Sequence, residues 1–100
     1  MTEYERYKDK WKKKIGFDSL VFPIYKKSVA CHGELYCFLS VNKVICVKTK
    51  IFSTINIYDA VSEALFLELY IHKDPCTAEE FNEVFEKIKA EINNLKIIPA

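Results

Sequence analysis

Two runs rich in Val, Ile, Leu, Phe and Tyr, Glu34–Ser40 and Lys43–Lys50, stand on either side of Val41 and Asn42, a separation short enough for a β-hairpin. Successive side chains of a strand point to opposite sides, so a two-residue loop puts odd positions before the turn on the face of even positions after it. That count predicts Cys37, Leu39, Val44 and Cys46 on one face and Tyr36, Phe38, Ile45 and Val47 on the other. Both faces are then apolar near the turn, which a sheet wetted on one side would not be. Helices are expected to cover one face, and more protein, from this chain or another, the second. The hairpin thus sets the fold class and gives the first pointer to a partner.

The flanking segments supply helices. Tyr4, Tyr7, Trp11 and Ile15 recur at steps of three and four, the stripe of an amphipathic helix whose other sides carry Lys and Glu, and Gly16 is a suitable stop. Thr77 with Glu80 three residues on forms a capping box, and Phe81, Val84, Phe85, Ile88 and Ile92 continue it as a helical stripe, predicting a helix from Ala78 to Asn94. Leu20–Lys26 reads as a strand, placed at a sheet edge or bulge because Pro23 cannot donate to a ladder. The alternation Ile51, Ser53, Ile55, Ile57 either extends the hairpin or begins another strand after a bend near Lys50. Asp59–Lys73 carries two patterns. Asp59 to Leu65 favours helix, with His72, Lys73 and Pro75 as its ending, whereas Leu65, Leu67, Leu69 and Ile71 alternate as a last antiparallel strand would; helix is the preferred reading. The predicted fold is α+β in a single domain over residues 1–100: an N-terminal amphipathic helix, a small antiparallel sheet centred on the 34–50 hairpin, and a C-terminal helix or helices packed on one face.

Composition restricts the compartment. The longest apolar stretch, Ala64–Ile71, is interrupted by Glu68 and is far below the roughly 20 residues of a membrane span, so no membrane partner is expected. Met1–Lys14 is charged and lacks the apolar core of a secretion signal, which points to the cytoplasm. There, Cys31, Cys37, Cys46 and Cys76 are expected to be thiols, and first of all small buried apolar residues. The formal charge of +1 conceals opposed ends, +3 over Met1–Lys14 and −3 over Asp74–Ala100.

Few residue patterns carry chemistry. Cys31, His32, Cys37, Cys46, His72 and Cys76 could furnish a zinc site, but no Cys-x-x-Cys knuckle is present, so no metal and no cofactor is predicted. Cys31 beside His32 is not a catalytic pair by adjacency alone, since neighbours on an extended chain point apart. Phosphate loops, dinucleotide fingerprints and nucleophile elbows are missing from the sequence. Lys10, Lys12, Lys13 and Lys14 surround Trp11 in a basic 8–14 segment suited to phosphates with a stacking ring, yet the isoelectric point near 7.6 is low for a dedicated nucleic-acid domain. The reading that remains is a small non-enzymatic protein-binding module, an inhibitor, adaptor or assembly subunit. It would grip another protein or a second copy through the open sheet face or the aromatic stripe, with Tyr4, Tyr7, Trp11, Lys10, Lys12, Lys13 and Lys14 as the contact. Nucleic-acid binding through the basic helix is the alternative; a cysteine-dependent enzyme or zinc site is the second.

Overall fold

Among the described residues, five antiparallel strands form one sheet in the order β4-β3-β2-β1-β5. They are β1 (Ile24–Ser28), β2 (Glu34–Ser40), β3 (Lys43–Lys48), β4 (Thr54–Tyr58) and β5 (Lys73–Pro75). Three helices, α1 (Glu3–Ile15), α2 (Glu63–Tyr70) and α3 (Ala78–Asn93), complete the α+β architecture. These elements come from a computed structural model that describes residues 2–49 and 52–93; the expectations that touch Lys50, Ile51 and Asn94 lie outside the described residues.

The hairpin forms where the sequence places it, but its faces are exchanged. Ser40 pairs with Lys43 across the Val41-Asn42 turn, whereas the next pair is Phe38 with Val44, so Leu39 is an extra residue on β2. That β-bulge slips the register by one, and a one-residue slip moves every side chain of one strand to the opposite face. Tyr36, Phe38, Val44 and Cys46 therefore share a face, as do Leu35, Cys37 and Val47 on the other. Cys37 and Cys46 do not share one.

Both faces are covered from within the chain. The first packs against Val61 and Phe66, with Phe17, Phe22, Leu69 and Tyr70 half-buried around them. Phe66 is fully buried and meets the rings of Phe17, Phe22, Phe38 and Tyr70 at centroid distances of 5.2–6.3 Å. The second packs against Phe81 and Ile88 of α3, with Val84 and Phe85 beside them. The C-terminal helix occupies one face as expected. The cover of the opposite face is α2, which carries the chain from the β4 edge to the β5 edge, and not a second protein.

Local signals explain the helix ends. The Thr2 hydroxyl accepts from the Glu5 amide at 3.1 Å, and Gly16, at φ 66°, stops α1 with its own N–H directed to Lys12 and Lys13 carbonyls. Ser62 accepts from Leu65 at 3.2 Å, and Thr77 accepts from Glu80 at 3.1 Å while its hydroxyl donates to the Glu80 carboxylate at 3.4 Å. The Asp59–Lys73 segment does form a helix, but it stops at Tyr70. His72 turns the backbone at φ 58°, and Lys73–Pro75 adds the last antiparallel strand, formed by residues that the sequence marks as a helix ending. β1 also departs from expectation. It begins after Pro23 and lies between β2 and β5, because the residue without an N–H is left out of the ladder instead of being tolerated at its edge.

Phe66→Ala should lower stability by about 3–5 kcal/mol in urea unfolding, a large share of the roughly 5–15 kcal/mol typical of a domain. Deleting Leu39 should leave a cooperatively folding chain, since Ser40–Lys43 and Phe38–Val44 then follow one another without a bulge; loss of the cooperative transition would contradict the bulged register.

Candidate functional site

α1 is the least buried helix. Not one of its side chains is fully buried, and it rests on α2 through its Lys8, Trp11, Lys12 and Ile15 side. Lys8 and Lys12 both reach the Glu63 carboxylate, at 3.7 and 3.3 Å, and these part-exposed pairs are worth about 1 kcal/mol or less each. The Lys12 ammonium also lies 4.9 Å from the Phe17 ring centroid. Trp11 is half-buried: His72 meets it edge-on at 5.3 Å and the Lys14 ammonium sits 4.6 Å from its centroid.

The seven residues singled out in the sequence are thereby divided. Tyr4 and Tyr7 are 57% and 51% exposed, and Lys10 and Lys14 are exposed as well. Tyr7, Lys10 and Lys14 follow one another at helical spacing, so they form one strip with Trp11 at its inner border. Lys12 is committed to Glu63 and Phe17, and Lys13 is exposed on the far side of Lys10 from the tyrosines. Beneath Tyr4 and Tyr7 a crevice of about 30 Å³, room for a single water, runs between α1 and the Ala64, Leu67, Glu68 and Ile71 side of α2. The strip can present two phenols, an indole edge and two ammonium groups to a partner.

Cys37 and Cys76 lie in the same α3-side cluster, both beside Tyr25, while Cys31 and Cys46 stand apart from them. Cys37 is buried beneath α3, Cys46 on the opposite face, Cys76 is half-buried and Cys31 is exposed. Burial pushes the Cys46 thiol up to about 12 and raises Cys37 and Cys76, with Glu34 adding to the shift at Cys46 and Glu80 at Cys76. Such groups are thiols at neutral pH and poor nucleophiles. Among the described residues no three His, Cys, Asp or Glu side chains converge as a metal site would require, and His72 is engaged with Trp11. No helix among the described residues is long and apolar enough to cross a membrane.

One grouping escaped the sequence. On the α2 face of the sheet, Glu34, Tyr36, Lys48 and Lys73 gather around the buried Cys46, and Lys26 stands beside them. The Tyr36 hydroxyl donates to the Glu34 carboxylate, the Lys73 ammonium lies 5.1 Å from the Tyr36 ring centroid and that of Lys26 4.7 Å from the Tyr70 centroid. An open cleft of about 370 Å³ lined by Cys31, His32, Glu34, Lys48, Phe52, Thr54 and Asn56 adjoins it. These residues come from separate strands, and only the bulged register reveals that they share a face.

The raised thiol gives a pH dependence of definite sign. The unfolded chain ionises Cys46 near its ordinary value of 9.0, so the stability it lends the fold is whole below that pH and is lost as the pH climbs towards about 12. The urea midpoint should fall between pH 8 and pH 10.5, and fall less in Cys46→Val; an equal fall in both chains would show that Cys46 contributes nothing. Cys31 should react with a thiol reagent well before the other three, and all four should react alike in denaturant. Comparisons with protein-family models, with curated proteins and with solved structures return no match for this chain.

Proposed function

We propose that the chain is a non-enzymatic protein-binding module whose contact is the strip of α1 formed by Tyr4, Tyr7, Lys10 and Lys14 with Trp11 at its border. A single observation supports this above the rest: an aromatic helix stripe of the kind that usually fills a core is here more than half exposed at Tyr4 and Tyr7. Tyr and Trp are over-represented among residues that dominate binding energies, because they supply a large contact area for little conformational entropy. The adjacent lysines favour an acidic surface on the partner, where they speed encounter more than they add affinity.

Nucleic-acid binding is less well supported. A base-stacking role needs a free ring face, and Trp11 is occupied by Lys14 and His72, while Lys8 and Lys12 share the Glu63 carboxylate, which offsets one of their two charges. The sheet faces are a weaker candidate for the contact, since the chain's own helices pack on both.

Capture with the tagged chain from its native host, with and without nuclease, should yield a protein partner that survives nuclease. Tyr7→Ala and Trp11→Ala should each weaken that complex by about 2 kcal/mol, roughly thirtyfold, with the far-ultraviolet spectrum and the urea midpoint of Tyr7→Ala unchanged. Lys10→Glu with Lys14→Glu should slow association and remove its salt dependence. A complex indifferent to all four substitutions would refute the assignment of the strip, and one that disappears with nuclease would move the function to nucleic acid.

A further inference from the structure

The two edges of the sheet are built differently. β5 is three residues long and consists of Lys73, Asp74 and Pro75. Shortness, charge and proline are the devices that keep an edge strand from pairing with another chain. β4, at the other edge, reads Thr54-Ile55-Asn56-Ile57-Tyr58, without charge or proline, and its ladder with β3 runs through five consecutive pairs without a bulge. Its exposed apolar groups are large: Ile57 is 60% exposed on the α3 side and Phe52, two residues before the strand, is 77% exposed.

We propose that β4 is the interface of a homodimer, in which two copies pair their β4 strands antiparallel about a two-fold axis through Asn56, joining both five-stranded sheets into one. The strand is complementary to itself. Centring on its middle residue overlaps its whole length, with Thr54 opposite Tyr58 and Ile55 opposite Ile57 of the second copy. The exposed Ile57 then meets a half-buried Ile55 on the same face, a cross-strand pair that stabilises a ladder. Charge does not oppose the arrangement: β4 itself carries none, Lys48 stands one strand further in on β3, and Asp59 at the far end is paired with Lys43 of its own copy at 3.6 Å. A charged peptide finds no side chain on β4 that would select it, whereas a neutral strand of the same sequence matches it throughout. This surface is separate from α1, so the dimer and the partner complex stand or fall independently.

Sedimentation velocity of the whole chain from micromolar to sub-millimolar concentration should show twice the chain mass at the upper end. Ile57→Lys, an exposed substitution that leaves the cores intact, should raise the dissociation constant about tenfold or more, and Tyr7→Ala should leave it unchanged. In a Cys31→Ser, Cys46→Val background, which removes the exposed thiol and the one that pairs with position 56 across β3 and β4, Asn56→Cys should oxidise to a symmetric cross-linked dimer, because residues facing each other across the axis are at disulfide distance. A single-chain mass at every concentration overturns the proposal. So does a dimer that Ile57→Lys leaves intact and Asn56→Cys fails to cross-link, or one abolished by Tyr7→Ala alone.

Discussion

The register of the central hairpin depends on the extra residue at Leu39, because β2 and β3 supply the inner wall of both apolar clusters. With the bulge, Phe38 and Val44 point towards Phe66, and Leu35 and Val47 towards Phe81 and Ile88. Without it and with the same turn, one strand would present its alternate residues to each helix, and aromatic and small side chains would change places. The bulge also places Glu34, Lys48 and Cys46 on one side of the sheet, so the polar cleft near Tyr36 follows from the same local irregularity. Covering both faces explains why the hairpin is apolar on both sides in a chain that carries its own helices.

α1 joins this arrangement at its last residue, Ile15, which packs half-buried against the Phe66 cluster. It is held by capping at Thr2 and Gly16, by the ion pairs of Lys8 and Lys12 with Glu63, and by the contact of Trp11 with His72, and it buries no side chain completely. Burial per residue is the main source of helix stability in a protein, so a helix with little of it belongs to the part of the molecule that opens most readily. The opposed charges at the two ends of the sequence do not meet there: the acid that binds the α1 lysines is Glu63 at the start of α2, not a residue of α3.

Much of the fold was legible in the sequence because the signals were local. Stripes at helical spacing together with Gly16 and Thr77 marked α1 and α3, and the two apolar runs around Val41-Asn42 marked the hairpin. What was not legible depends on partners distant in sequence. A bulge leaves no pattern that separates Leu39 from its neighbours, so the faces were inverted. β5 is too short to show an alternation, and its Lys73, Asp74 and Pro75 resemble the end of a helix. At α1 the sequence identified the aromatic and basic residues but could not distinguish Lys12, tied to Glu63, from Lys10 and Lys14, which are not, because that distinction rests on where α2 lies. The gathering of Lys26, Lys48 and Lys73 needs the order of all the strands.

The sheet also acts as a partition. Successive side chains of a strand point to opposite faces, so those packed beneath α3 and those packed beneath α2 form separate clusters on the two sides of the sheet. Substitutions on opposite sides should then combine almost independently, whereas those within one compartment are coupled through shared contacts. A sequence so divided can exchange its α3-side residues without disturbing the platform that carries α1, which leaves the two halves of the molecule able to diverge at different rates.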